Sequence, residues 1–307
     1  MFAWAFKPNT LRVQQASHSN FFILHSLIID LRPPPDVTLP NSPLPESIAT
    51  YLQQHLGNIL TVDRIAGGHQ HSWLLTTEHE RLVLRLNQQQ PCYGLDYQRE
   101  REVLQQLKGQ VWIIDLHPLS FKGQFLLYRY QSGEVLSDLS GFSDVLWQQL
   151  LSIIISLPRL GEGLPKFDMI HYLSCYVGDI TAAQAKRFRL LALTWLKEQL
   201  WPSGLAFNHH DLHLDNLLLS PKQQLFVLDW EYAASSMQGW DAASVAVRCP
   251  VSRQQRQDLV LASQLSEAEF TLLEAAVELL DLAWYWQYQP SLAELNQRTE
   301  RWLLAHV

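Results

Sequence analysis

The segment Asn208-His209-His210-Asp211-Leu212-His213-Leu214-Asp215-Asn216 places a carboxylate and a carboxamide five residues apart, with the apolar run Leu217-Leu218-Leu219 directly after them. Thirteen residues beyond Asn216, a second carboxylate, Asp229, closes the apolar run Leu225-Phe226-Val227-Leu228. Moving a phosphoryl group onto a hydroxyl needs this inventory. It requires a carboxylate beside the attacking hydroxyl, and oxygen ligands for a divalent cation beside the phosphates. A β-hairpin joining the two apolar runs would bring Asn216 and Asp229 together as metal ligands. Asp211 would then sit one loop away, facing the acceptor. Two other readings compete. A single Asp or Asn in a loop commonly hydrogen-bonds the backbone of a turn, but that does not account for two linked motifs flanked by apolar strands. His209, His210, Asp211 and His213 could instead form the zinc or iron cluster of a hydrolase, which leaves Asn216 and Asp229 without a role.

The pattern His209-x-Asp211-x-x-x-x-Asn216, followed by Leu228-Asp229-Trp230-Glu231-Tyr232-Ala233, resembles the aminoglycoside phosphotransferase and choline kinase superfamily. Within it, the Asp-Trp-Glu-Tyr-Ala string resembles bacterial thiamine kinases and choline kinases most. The resemblance spans about residues 58–290 and is dense only at 205–241. It implies an α+β, protein-kinase-like fold of two lobes, with ATP as co-substrate and Mg2+ as cofactor. By motif match, Asp211 is the expected catalytic base, His209 braces its loop, and Asn216 and Asp229 hold magnesium. Positions 214 and 215 depart from the pattern, with Leu and Asp where many members carry Pro and Gly.

These residues need a scaffold. Ile48, Leu52 and Leu56 recur at helical spacing before Gly57. Strand-like runs at 72–77 and 81–86 flank Glu78-His79-Glu80 and read as a hairpin. A helix is expected at 96–107, then strands at 111–116 and 125–130, with Gly133 breaking the pattern. From Ser143 onward the chain reads as helical, with candidates at 145–156, 182–201 and 268–288. The expected organisation is therefore a β-rich N-lobe at 41–133 for the nucleotide and a helical C-lobe at 134–307 for the catalytic loop and acceptor, with a cleft between them. Residues 1–40 end in Arg32-Pro33-Pro34-Pro35, which cannot continue a helix. They are expected to be a flexible extension, or a start set upstream of the true one.

The N-lobe offers partial nucleotide-binding signals. Gly67-Gly68 lies between strands, where glycine lets backbone approach phosphates, although an ordinary turn has the same look. Arg85 ends the second strand of the hairpin and resembles the family's phosphate-contacting cation, whose fork suits phosphate oxygens. The following helix should supply its carboxylate partner from Glu100 or Glu102, and the family pattern favours Glu100. The 127–133 segment resembles the lobe hinge that binds adenine.

For the acceptor, the 268–288 helix carries Glu274, Glu278, Asp281 and Tyr285 at steps of four, three and four, on one face. Trp284, Trp286 and Tyr288 cluster at its end. Aromatic faces with carboxylates suit a permanent cation, though an acidic solvated face over aromatic core residues is the plainer account of any one of them. Glu231, Glu278, Asp281, Trp284 and Tyr285 are the acceptor candidates. A net charge of −7 gives no basic footprint for nucleic acid and is compatible with a cationic substrate. The expected partners are ATP and a small cationic alcohol, with thiamine leading and choline or an aminoglycoside as alternatives. A non-catalytic pseudokinase is the competing class, opposed by intact Asp211, Asn216, Asp229 and Arg85. The three cysteines are scattered without a CxxC pair, and no apolar run reaches membrane-spanning length. The chain is therefore expected to be cytoplasmic, with no membrane partner.

Overall fold

A computed structural model of the chain describes residues 44–65, 71–87, 94–137, 139–161 and 163–307. The expected extension at 1–40 and the Gly67-Gly68 loop lie outside the described residues. In chain order the elements begin with α1 (Glu46–Leu56), β1 (Ile59–Arg64), β2 (His71–Thr77), β3 (Arg81–Leu86), α2 (Tyr97–Gln106), β4 (Phe125–Arg129) and β5 (Glu134–Val135). They continue with α3 (Asp144–Ser156), α4 (Met169–Gly178), α5 (Lys186–Glu198), β6 (Leu205–Asn208), β7 (Leu217–Leu219), β8 (Leu225–Val227) and β9 (Ala234–Met237). The chain closes with α6 (Trp240–Arg248), α7 (Arg253–Ser263), α8 (Glu267–Tyr288) and α9 (Leu295–His306). The architecture is α+β, divided into two units that interleave along the chain. The first takes residues up to 89, with 109–138 and 214–229; the second takes 90–108, 139–213 and 230–307.

The first unit is built on an antiparallel sheet in the order β1-β2-β3-β4. Its register pairs Trp73 with Leu84 and Leu84 with Leu127, so period-two alternation puts Trp73, Leu75, Leu82, Leu84, Phe125 and Leu127 on one face. That face and the apolar stripe of α1, Ile48 and Leu52, form one buried cluster. Burying each such side chain stabilises by about 1.5–3 kcal/mol. The β2–β3 turn is closed by Thr77, whose backbone N–H donates to the Glu80 carbonyl at 2.9 Å and whose hydroxyl accepts from the Glu80 N–H at 3.0 Å. The same alternation sends Arg85 to the opposite face, between Ser72 and Leu126.

A second sheet, ordered β5-β7-β8, completes this unit. The β7–β8 hairpin turns through Gln223 at φ +61, and the Leu228 N–H donates to the Asn216 carbonyl at 2.9 Å. Gly133 is required beside it, because a Cβ there would lie 2.7 Å from the Leu219 carbonyl oxygen. The strand expected at 111–116 does not form. That segment makes single bridges, Ile113 to Val227 and Leu116 to Tyr128, so its ends serve different strands and no continuous ladder can run along it.

In the second unit, β6 and β9 pair antiparallel, Asn208 opposite Ala234, amid packed helices. Helix α3 starts at an N-cap Ser143, and α8 at Ser266 with a reciprocal Glu269 capping box. The helix expected at 182–201 is shorter: a 3-10 turn at Ala183–Ala185 leads into α5, which ends at Glu198. Pro202 follows and disfavours helical backbone before it. Helix α8 docks α9 through Trp286, whose indole donates to Thr299 Oγ1 at 3.0 Å, and through Trp302, whose indole donates to the Ala275 carbonyl at 2.9 Å.

Candidate active site

Strand β6 leads into the segment expected to carry the catalytic base. It ends at Asn208, whose amide donates to the Ala206 and Met237 carbonyls and so ties the strand end to β9. The next two backbone N–H groups, those of His209 and His210, donate to the two oxygens of Asp241, at 2.6 and 2.9 Å. Asp241 lies in the first turn of α6 and is 3 % exposed. Burial pushes its carboxyl up to about 7, against the opposing pull of those two N–H donors. One carboxylate therefore holds the start of the loop as a rigid fork.

His210 takes φ +69, a left-handed conformation that non-glycine residues rarely adopt. Its ring compensates. Nδ1 lies 2.9 Å from the Tyr232 carbonyl, which can only accept, so Nδ1 carries the proton and Nε2 accepts from the Ser236 hydroxyl. Burial pushes this imidazole down to about 3, and it stays neutral. His209 turns its ring edge-on to Trp230, and its Nδ1 accepts from the Asp211 N–H at 3.3 Å. The histidines thus face separate partners, and no metal-holding group of three or more His, Cys, Asp or Glu occurs among the described residues.

Asp211 is only partly buried where its neighbours in the segment are buried, with its side chain 22 % accessible. Its Oδ1 accepts from Arg248 Nη1 at 3.0 Å, and its Oδ2 lies 3.4 Å from His213 Nε2. Arg248 is the last residue of α6, and its Nε and Nη2 reach Asp281 Oδ1 on α8 at 3.0 and 2.7 Å. Burial works against the Arg248 charge, but Asp281 and Asp211 more than offset it, and the guanidinium is held firmly protonated.

In the first unit, β8 leads through Leu228 to Asp229, at φ +57. Asp229 Oδ1 accepts from Arg85 Nη1 at 2.7 Å, and each side chain is only 7 % exposed. Asn216 is fully buried at the start of β7, and its backbone is tied to Leu228. The hairpin expected from the sequence therefore forms, and it brackets the Asn216 and Asp229 pair. Asp215, the departure from the family pattern, is also buried.

The two glutamates of α2 differ sharply. Glu100 is fully buried, whereas Glu102 is exposed and accepts from Gln98. On α8, Glu274 is bound by Arg256 at 2.8 and 2.7 Å and Asp281 by Arg248, while Glu278 is exposed. Trp284 packs against Tyr285 and Tyr288, with ring centroids 5.4 and 5.3 Å away, whereas Trp286 faces the core. Glu231 is buried, and its carbonyl accepts from Arg99. Sequence reasoning missed Asp241 and Arg248, which lie outside the loop motif. It grouped His213 with Asp211 only as part of a metal cluster, whereas here the two side chains face each other at 3.4 Å.

Comparison with known proteins places this geometry. The family model described as a phosphotransferase enzyme family matches residues 61–276. A search of curated proteins finds no match. Among solved structures, choline kinase LicA from Streptococcus pneumoniae superposes with a TM-score of 0.68 at 16 % identity, covering 85 % of this chain and 99 % of that one. Spectinomycin phosphotransferase APH(9)-Ia, solved with ADP and spectinomycin, gives 0.63 at 16 % identity, over 86 % and 93 % of the two chains. An ethanolamine kinase from Plasmodium vivax gives 0.58 at 12 % identity, over 84 % and 86 %. The expected protein-kinase-like fold is thus present, and the chain belongs to the phosphotransferase enzyme family.

Proposed function

We propose that this protein transfers the γ-phosphoryl group of ATP to the hydroxyl of a small cationic alcohol. The observation that carries the reading is the intact set Arg85, Asp211, Asn216 and Asp229 inside the region matched by the family model. Asp211 accepts a hydrogen bond from the acceptor hydroxyl and takes its proton as the oxygen attacks phosphorus. The bond to the ADP leaving oxygen breaks as the new P–O bond forms. His209 and Asp241 hold the loop so that this carboxylate is positioned before the acceptor arrives.

Asn216 and Asp229 offer only oxygen donors, a set that suits magnesium. Magnesium, when bound there, supplies positive charge to the phosphate oxygens. Arg85 grips the phosphates, and buried Glu100 serves as the acid of α2 rather than exposed Glu102. For the acceptor, Trp284 and Tyr285 offer ring faces and Glu278 an exposed carboxylate, a combination that attracts a cation. A choline kinase and a spectinomycin phosphotransferase among the structural neighbours are compatible with an amine-bearing alcohol. Thiamine enters through the Asp229-Trp230-Glu231-Tyr232-Ala233 string.

The test is a product screen of purified protein with ATP, magnesium and thiamine, choline, ethanolamine and aminoglycosides. Formation of one phosphate monoester, with ADP in equal amount, supports the reading. Nucleotide binding without transfer to any acceptor and without ATP hydrolysis would point to a non-catalytic binding protein.

A further inference from the structure

Arg248 donates to Asp211 at 3.0 Å, and it comes from an element outside the loop that carries Asp211. The guanidinium spends Nη1 on Asp211 Oδ1, and Nε and Nη2 on Asp281 Oδ1. The side chains of Arg248 and Asp281 are 10 % and 13 % exposed, so this is a nearly desolvated acid–base–acid chain anchored on α6 and α8. A planar fork bonded on two edges has little rotational freedom, unlike a flexible ammonium. The carboxylate at its free end inherits that rigidity.

We infer that Arg248 is a positioning residue, and that Asp281 acts through it to hold the Asp211 carboxylate in its reactive orientation, not as a ligand of the acceptor. The inference rests on Asp211 being the base, as proposed above. It reassigns Asp281, whose place on the α8 acidic face otherwise suggests a contact with the substrate cation. That carboxylate already has a buried cation at 2.7 Å. Both Arg248 bonds fall on its Oδ1, and an acceptor that drew this carboxylate away would leave a buried guanidinium partly unpaired. Glu278 and the Trp284 ring stay as acceptor candidates on α8, whereas the Tyr285 ring already has the Arg298 guanidinium over it, 4.8 Å from its centroid.

The experiment separates positioning from acceptor binding and from plain stability. It uses Asp281→Asn, Arg248→Met, and the double variant Arg248→Met/Asp281→Leu, in which a well-packed apolar pair replaces the buried charges. The readout is acceptor phosphorylation, or hydrolysis of ATP by water where no acceptor in the panel reacts, together with thermal melting. Asp281→Asn should lower kcat by about 10- to 100-fold, the scale of a small misplacement of a catalytic group, with acceptor KM within about twofold. A raised KM with unchanged kcat overturns the inference and returns Asp281 to the acceptor site. The double variant should regain melting temperature relative to the single ones without regaining kcat. Turnover that returns together with stability overturns the inference in favour of a structural role. Wild-type protein that consumes no ATP in either readout overturns the kinase reading along with this one, whereas an active wild type with equally active variants overturns this one alone.

Discussion

Arg85 donates to Asp229 at 2.7 Å across 144 residues of sequence, and both side chains are 93 % withdrawn from solvent, at 7 % exposure each. Two backbone features create the pair. Strand alternation in β3 turns Arg85 away from the apolar cluster, and Asp229 leaves β8 in the left-handed region. The groups proposed to meet phosphate and magnesium thus also pair with each other.

Breaking this pair from one side should be costly. Asp229→Ala takes one carboxylate away from a buried guanidinium, and breaking a buried pair from one side costs up to about 3–5 kcal/mol. We expect a clear drop in melting temperature as well as loss of turnover. A variant that melts like wild type would show that the pair contributes little to the fold. Excess chelator should abolish turnover of the wild type without comparable unfolding, which separates the metal role from the structural one.

Asp211→Asn preserves shape but removes charge and basicity. Turnover should fall by about two orders of magnitude or more. ATP affinity measured by calorimetry should stay near the wild-type value. Wild-type turnover in this variant removes Asp211 from the mechanism.

His210 sets a pH dependence of stability. Its folded value of about 3 lies below its ordinary 6.5 because burial opposes the charged ring. The folded state therefore binds fewer protons than the unfolded state between those values. The stability this neutral ring contributes is full above about pH 6.5 and is lost as pH falls toward 3, by about 1.4 kcal/mol per pH unit. Asp241, pushed up to about 7, acts with the opposite sign: its share is present below about pH 4 and lost as pH rises through 7. The informative quantity is therefore the difference between wild type and His210→Asn, a substitution that tolerates left-handed backbone. Urea unfolding at pH 7 and pH 5 should show wild type losing stability relative to the variant at the lower pH. A difference that does not change with pH would rule out the neutral buried imidazole.

Gly133→Ala should disturb the β5–β7 pairing, because the added Cβ would meet the Leu219 carbonyl oxygen at 2.7 Å. Backbone cannot yield as a side chain tip can, and we expect about 1–3 kcal/mol of destabilisation by chemical denaturation.

The sequence alone determined the local elements and named the candidates for the reacting groups. Alternating apolar residues in β2 and β3, the Ser143 and Ser266 caps, and the apolar runs around Asn216 and Asp229 act over a few residues, so their period and chemistry are written in order along the chain. The family motif suggested a role for each loop residue for the same reason, since His209, Asp211, Asn216 and Asp229 fall within one short stretch of chain. Tertiary structure decided the rest. It buried Glu100 and left Glu102 exposed, a difference that their spacing on the helix does not announce. It broke the 111–116 segment between two strands that no local pattern identifies as its partners. It also brought Asp241 to the backbone of His209 and His210, and Arg248 to both Asp211 and Asp281. Those contacts depend on helix docking across roughly 30 to 40 residues of chain, where spacing carries no signal. A buried carboxylate or guanidinium reveals its purpose only through the partners that make its burial affordable.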